Sequence, residues 1–248
     1  MTGRLAIDSA SRAGDAGYLA AADLAEVARH LGLPYRLVGG IAVTLLTLVH
    51  GVADVVPARE TSDADFAATP EVLSDPRLVP ALTATGYVQE KGNRFVRRVD
   101  HGGTGLDLTV DLLVPAFLPD LLPNQPVGDL VVDAVPGLGL ALAMAATTAD
   151  VTVRLTDASL LTTHLALPDV SAALCLKALA WRGRMAERDL VDIHRLLEAA
   201  FASGVRRDSW PLHGVRLDAA RVLHHDLGRP GRTPARVRAL IGEVVARP

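Results

Sequence analysis

Tyr35-Arg36-Leu37-Val38-Gly39-Gly40-Ile41-Ala42-Val43, followed further on by Arg59-Glu60-Thr61-Ser62-Asp63-Ala64-Asp65, is the stretch on which the reading of this 248-residue chain turns. Tyr35 to Val38 has strand character, Gly39-Gly40 reads as a tight turn, and Ile41 to His50 as an apolar helix. Glycines between a strand and a helix let the backbone approach a phosphate closely. The first N–H groups of the helix then point at that phosphate with the favourable end of the helix dipole. Asp63 and Asp65 fall in a strand near Asp63 to Ala67, where alternation puts both carboxylates on one face and Ala64 on the other. Two adjacent carboxylates repel unless a cation lies between them, and oxygen ligands suit Mg2+ or Mn2+. Such an ion bridges nucleotide phosphate oxygens and stabilises a leaving pyrophosphate, so the pattern points to phosphoryl-type chemistry on an NTP.

Working outward, Leu106 to Val114 alternates, with Leu106, Leu108, Val110 and Leu112 on one face and Asp107, Thr109 and Asp111 on the other. This predicts a strand buried on one face, from which Asp111, or else Asp107, supplies a third carboxylate. Ala16 to Leu31 has helical periodicity and ends at Gly32 and Pro34. Pro70 opens a helical stretch to about Ala84, and a hairpin turns at Gly92-Asn93 between Tyr87-Val88-Gln89 and Arg94 to Arg98. Leu130 to Val132 and Val151 to Leu155 are further strands flanking a helix near Leu138 to Ala146. From Pro168 onward helices dominate: Val170 to Trp181, Arg188 to Ala202, Leu217 to Leu227 and Pro234 to Val245. Strands followed by helices predict an α+β fold, divided into a catalytic part over 1–165 and a helical part over 166–248.

Composition narrows the class. Half of the residues are hydrophobic and 21% are charged, as in a soluble globular protein. No apolar run approaches the roughly 18 residues of a membrane span, and the N-terminal residues lack a signal-peptide core, so a cytoplasmic protein without a membrane partner is expected. The single cysteine, Cys175, excludes an internal disulfide and reads as a small buried side chain. The net charge of −3 hides an asymmetry: residues 1–176 carry 11 basic against 20 acidic side chains, net −9, whereas 177–248 carry 14 against 8, net +6. One part therefore suits a cation and the other a polyanion.

Lys177 stands out because the chain has 23 Arg and two Lys. A Lys within an apolar helix marks a place where a compact ammonium is wanted rather than a planar fork. In one continuous helix over 170–197, Lys177, Arg184, Arg188 and Asp192 would share a face, although Gly183 argues for a break. Asp192, or alternatively Asp189, could orient Lys177 or an Arg. Arg59 and Thr61 read as residues that tie down the loop before the Asp63 strand.

Gly39-Gly40-Ile41-Ala42-Val43 with Arg59-Glu60-Thr61-Ser62-Asp63-Ala64-Asp65 resembles the paired signature of the AbiEii/AbiGii-type nucleotidyltransferases, which belong to the DNA polymerase β-like superfamily and include MenT-like toxins. Leu176-Lys177-Ala178-Leu179-Ala180 with Arg184, then Arg188-Asp189-Leu190-Val191-Asp192, is similar to that family's C-terminal helical motif. The resemblance covers roughly residues 35–198. It implies a nucleotidyltransferase fold, a mixed twisted sheet with flanking helices plus a helical region. It implies Mg2+ on Asp63 and Asp65, with Asp111 as the candidate third ligand, and Lys177 on nucleotide phosphates. Gly39, Gly40, Arg184 and Asp189 are then expected in nucleotide binding, and Asp192 beside Lys177 in catalysis. It further implies transfer of a nucleotide to an acceptor such as the tRNA 3′ end by the toxin of a toxin-antitoxin pair. The chain departs from the pattern in having Gly40 and Ile41 where relatives often carry a Ser or Thr hydroxyl.

Two other readings compete. The same superfamily transfers nucleotides to small molecules such as antibiotics, which would favour an acidic acceptor pocket. A noncatalytic nucleotide-binding protein would accommodate the missing hydroxyl. For RNA, the recurrence of Arg206, Arg207, Arg216, Arg221, Arg229, Arg232, Arg236 and Arg238 over the last helices predicts a basic face.

Overall fold

A computed structural model describes residues 2–56 and 60–248. Strand β1 (Thr2–Asp8) leads into α1 (Arg12–Leu31). Ser11 starts this helix by accepting a hydrogen bond from the Gly14 N–H, and Gly32, at φ +68°, closes it in the left-handed conformation. Ala20, Leu24 and Val27 form the expected buried stripe. Then come β2 (Arg36–Val38), α2 (Gly39–Val49) and β3 (Asp63–Ala67). The stretch expected to be helical from Pro70 to Ala84 is two short helices, α3 (Pro70–Leu73) and α4 (Leu78–Ala84). Pro76 separates them by disfavouring helical geometry at Asp75.

The hairpin at Gly92-Asn93 forms as expected, joining β4 (Val88–Lys91) to β5 (Arg94–His101), and β6 (Thr104–Ala116) carries the alternating run. After it come β7 (Leu122–Val127), β8 (Leu130–Pro136), α5 (Leu138–Ala143), β9 (Thr147–Arg154) and β10 (Leu160–Leu167). The helical part contains α6 (Val170–Arg184), α7 (Glu187–Ala202), α8 (Gly214–Arg221) continued by a π-helical segment over Val222–Leu227, and α9 (Ala235–Val244). The α+β class is therefore observed. No helix among the described residues is long and apolar enough to cross a membrane.

Among the described residues the strands form two sheets. The larger runs β2-β3-β6-β5-β4, with β8 on β6 and β7 on β8. Strand β6 changes neighbour along one edge: β5 pairs with it up to Asp111, and β8 pairs with it from Leu113 onward. That divergence opens the sheet beside Asp111. On the apolar face, Leu108, Val110 and Leu112 join Ala64, Phe66 and residues of α1 in the core. The smaller sheet has β9 at its centre, parallel to β1 and antiparallel to β10. Neither β1, β7 nor β10 was expected from local patterning.

A buried polar knot ties these pieces together. His101, at the end of β5, lies 2.7 Å from Asp15 through Nε2 and 3.2 Å from Asp157 through Nδ1. The Thr156 N–H and hydroxyl also donate to Asp15, which is fully buried. Burial pushes the Asp15 pKa up, but bonds from Ser9, Thr156 and His101 outweigh it and hold the carboxyl below its ordinary value. The larger sheet, the first turn of α1 and the β9–β10 turn thus meet at one point. Leaving buried hydrogen-bond partners such as His101 and Thr156 unsatisfied costs about 1–3 kcal/mol each. Asp15→Ala should therefore lower unfolding free energy by about 3 kcal/mol at neutral pH. A depressed carboxylate pKa contributes stability above its unfolded value and loses it as pH falls, so the gap to wild type should narrow below about pH 4. Urea denaturation at both pH values checks this; a loss under about 1 kcal/mol at neutral pH, the level of an ordinary surface contact, would refute it.

Candidate active site

The register of the large sheet assembles the acidic group. Asp65 stands opposite Asp111 in the parallel β3–β6 pair and opposite Val38 in the antiparallel β2–β3 pair. Asp111 in turn stands opposite Arg94 on β5. Residues opposite one another across a sheet share a face, so Val38, Asp65, Asp111 and Arg94 form one row, with Asp63 two residues along β3 on the same side. Asp63, Asp65 and Asp111 each offer a carboxylate oxygen within 4.8 Å of the others. Asp107, the other candidate, lies outside this group and pairs with Arg98 at 3.1 Å. Asp65 keeps some exposure to the cleft, yet burial, then Asp63 and Asp111, push its pKa up to about 7, against the pull of Lys177 and Arg184. Carboxylates held this close, one of them reluctant to ionise, fit a divalent cation with oxygen ligands.

Gly39 explains why this cluster sits at the start of a helix. It has φ +74°, and a Cβ there would come within 1.8 Å of Asp65 Oδ2. The turn needs glycine to admit a carboxylate as well as a left-handed backbone. α2 begins at Gly39 itself, and its N-cap, Val38, has no side chain able to cap it. The first-turn N–H groups have no intrahelical acceptors and lie beside Gly39 and Gly40 in the cleft wall. Ile41 is turned away: it is buried, and its Cδ1 would lie 2.8 Å from a Cβ on Gly17. The position that lacks a hydroxyl is occupied in packing α2 against α1.

Lys177 and Arg184 come from α6, Asp189 and Asp192 from α7. One shared helix face is not what joins them. The chain breaks at Met185, in left-handed conformation at φ 50°, and not at Gly183. The two helices fold back on each other. Lys177 Nζ lies 2.7 Å from Asp192 and 3.5 Å from Asp189. Arg184 grips Asp189 through both oxygens at 2.6 and 2.7 Å. Both acids are fully buried. Burial raises the Asp189 pKa, but Arg184 and Lys177 outweigh it and the net shift is downward. Arg188, at the start of α7, reaches the same cleft.

These groups line one cleft of about 440 Å3, with Leu113, Val135, Leu138, Leu176 and Leu179 as its apolar wall. Over its edge hangs the β6–β7 connection, tied to α6 by Arg182, which donates to the Pro119 carbonyl at 2.5 Å and to Asp120 at 3.2 Å. Phe117 at the tip is 97% exposed. Sequence reasoning missed Arg94, which donates to both Asp111 oxygens at 2.9 and 2.7 Å. Its only local signal was a place at the foot of the hairpin. Thr61 is buried before β3, while Arg59 lies outside the described residues. Cys175 is buried, and burial pushes its thiol up to about 12.

The basic C-terminal face is less open than the spacing suggested. Arg236 is bidentate on Glu198, and Arg206 covers the Phe201 ring at 4.0 Å while donating to the carbonyls of Phe201 and Val205. Arg238 donates to the Thr233 carbonyl, Arg216 meets Met144 Sδ at 3.0 Å, and Arg221 pairs with Asp218 at 3.4 Å.

No family model and no curated protein matches the chain in sequence. Among solved structures, the crystal structure of an antigenic nucleotidyltransferase-like protein from Paracoccidioides brasiliensis is similar, with TM-score 0.56 and 17% identity over 94% of this chain and 95% of that one. At that identity the likeness is one of fold. The chain has a nucleotidyltransferase-like fold, as the motif resemblance implied; the likeness does not reach down to the AbiEii/AbiGii-type family.

The acidic row predicts a divalent-ion effect on stability. A carboxylate raised from its ordinary value of 3.8 to about 7 makes the ion-free fold lose stability as pH climbs towards 7, and a bound cation offsets that loss. Mn2+ should therefore raise Tm more at about pH 8 than at about pH 5.5, where Asp65 holds a proton. Thermal melts read this directly. A Tm indifferent to Mn2+ at the higher pH, or raised equally in an Asp63→Ala, Asp65→Ala double variant, would exclude these ligands.

Proposed function

We propose that this chain is a metal-dependent nucleotidyltransferase that moves a nucleotide from an NTP to an acceptor hydroxyl, with RNA, the tRNA 3′ end in particular, as acceptor. The observation that carries the reading is the convergence, in one cleft, of the Asp63, Asp65 and Asp111 oxygens, the uncapped start of α2 and Lys177 with Arg184. In the reaction the acceptor hydroxyl gives up its proton to solvent as its oxygen forms a bond to the α-phosphorus, the bond from that phosphorus to the bridging oxygen breaks, and pyrophosphate leaves with the electron pair. Asp63, Asp65 and Asp111 would hold Mg2+ or Mn2+, which would supply charge stabilisation for the phosphoryl group and the leaving group.

The chain's own groups do the positioning. The first-turn amides of α2 take phosphate oxygens, where Gly39 leaves room for backbone and Asp65 together. Lys177 presents its ammonium to the phosphates from a site 7% exposed, aimed by Asp192 and Asp189. Arg184, fixed by Asp189, adds a second cation on the same side. The apolar wall of Leu113, Val135 and Leu176 takes the nucleoside face and excludes water.

Arg188, exposed at the cleft mouth, with Arg182 beside it, supports a polyanionic acceptor. A toxin role and an antitoxin partner rest on the motif resemblance. A small cationic acceptor is the second reading, favoured by Asp120 and Asp133 in the same cleft lining.

Incubation with each labelled NTP and total cellular RNA should label a tRNA-sized band, and Asp65→Ala should abolish it. Retention of more than about a tenth of wild-type turnover by that variant, a loss of only about 1.4 kcal/mol, would overturn the metal role. Label that appears on an added aminoglycoside and not on RNA would favour the small-molecule reading. Lys177→Arg should be nearly as damaging as Lys177→Ala, because a guanidinium does not fit the enclosed ammonium site between Asp189 and Asp192. Near-wild-type NTP affinity and rate in Lys177→Arg would mean that only the local field of positive charge matters.

A further inference from the structure

Arg94 is the cation in direct contact with the acidic row. It opens β5, immediately after the Gly92-Asn93 turn, and the β5–β6 register sets it against Asp111. Its guanidinium takes both Asp111 oxygens, at 2.9 and 2.7 Å. The Asp111 side chain is 11% exposed and that of Arg94 is 42% exposed, so the carboxylate is fixed while the guanidinium sits at the open edge of the cleft. Lys177 and Arg184 differ, being matched by two buried acids of their own. Among the described residues Arg94 is hydrogen-bonded to no carboxylate besides Asp111, while Asp63 and Glu90 act on it at longer range. Two consequences follow from charge and geometry. A divalent cation entering alone meets Asp63 and Asp65 with Asp111 already engaged. A guanidinium fork fits phosphate as well as carboxylate, and an incoming triphosphate offers it several acceptor oxygens.

We propose that Arg94 is a positioning residue that couples nucleotide arrival to metal ligation: without nucleotide its guanidinium holds Asp111, and the nucleotide's phosphates draw it off and release Asp111 to the cation. The inference rests on the proposed nucleotide transfer, and it makes predictions for metal and nucleotide measured separately. Removing Arg94 frees a carboxylate and raises the negative charge at the site. Removing the pair together restores the net charge of the wild type.

The test is calorimetric titration of Mn2+ alone into wild type, Arg94→Gln and the Arg94→Gln, Asp111→Asn double variant, then of each NTP in the presence of EDTA. Arg94→Gln should bind Mn2+ at least about fivefold tighter than wild type, the lower end of ordinary coupling between sites, and the double variant should return to near wild-type affinity. The same Arg94→Gln protein should bind NTP at least about fivefold more weakly without metal. Arg94→Lys, which keeps the charge and loses the fork, should fall between, and it secures the test if Arg94→Gln folds poorly by circular dichroism. Mn2+ affinity unchanged or weakened in both single variants would overturn the proposal, as would unchanged metal-free NTP affinity. If wild type binds neither Mn2+ nor any NTP, the nucleotide-transfer reading falls and takes this inference with it.

Discussion

Repulsion between Asp65 and Asp111, set face to face by the β3–β6 register, is the constraint around which the rest of the site is arranged. Like charges directly opposite on neighbouring strands destabilise a sheet, so such a pair persists only where something else holds the register and something positive is near. The register is held by the opposite face. Ala64 and Phe66 of β3 and Leu108, Val110 and Leu112 of β6 are buried beneath α1, and a slip of one residue would turn them towards the cleft. The positive charge comes from several directions: Arg94 along the row, Lys177 and Arg184 from above. Gly39 is the steric counterpart, since any side chain there would collide with the carboxylate that the register delivers.

The scaffold relies on further buried polar links between elements distant in sequence. Arg195 of α7 reaches into the core to donate to the Thr44 and Thr47 hydroxyls of α2 at 3.2 and 3.1 Å, joining the helix that bears the site's glycines to the helix that bears Asp189 and Asp192. The His101 knot does the same for the two sheets and α1. Such links contribute specificity of arrangement as much as stability, because a buried charge without its partner is costly and alternative packings would leave one. The Arg195 link ties the middle of α2 to α7, and the His101 knot holds the end of β5 away from Arg94.

What the sequence made legible was local. The alternation of Leu106–Val114 gave the face of Asp111, the Asp63-Ala64-Asp65 spacing gave a shared face, and Gly39-Gly40 marked the strand-to-helix turn. Contacts that depend on long-range register were hidden. β1 pairs with β9 across most of the chain, and no local pattern in Thr2–Asp8 announces it. Arg94 acquires its meaning only from standing opposite Asp111. Gly183 looked like the helix breaker, yet it continues α6. Met185 takes the left-handed position instead, because folding α7 back is what buries Asp189 and Asp192 against Lys177 and Arg184. Tertiary pairing of charges overrode local propensity there.

The same lesson alters the meaning of the charge asymmetry. A net +6 over residues 177–248 counts Arg184, Arg206, Arg216, Arg236 and Arg238, each of which has a partner within the fold. A guanidinium matched by a buried carboxylate, as Arg184 and Arg236 are, has little net charge left to offer a polyanion. In the proposed RNA reading, affinity would therefore draw on the exposed Arg188 at the cleft mouth, with Arg182 beside it already held by Asp120 and the Pro119 carbonyl, as much as on the arginines of the last helices. Recognition confined to that mouth suits a chain end presented to the acidic row. A long duplex laid across the last helices would meet Arg206 and Arg236 already engaged beside the exposed Arg207, Arg229 and Arg232, and, in residues 1–176, a stretch of net negative charge.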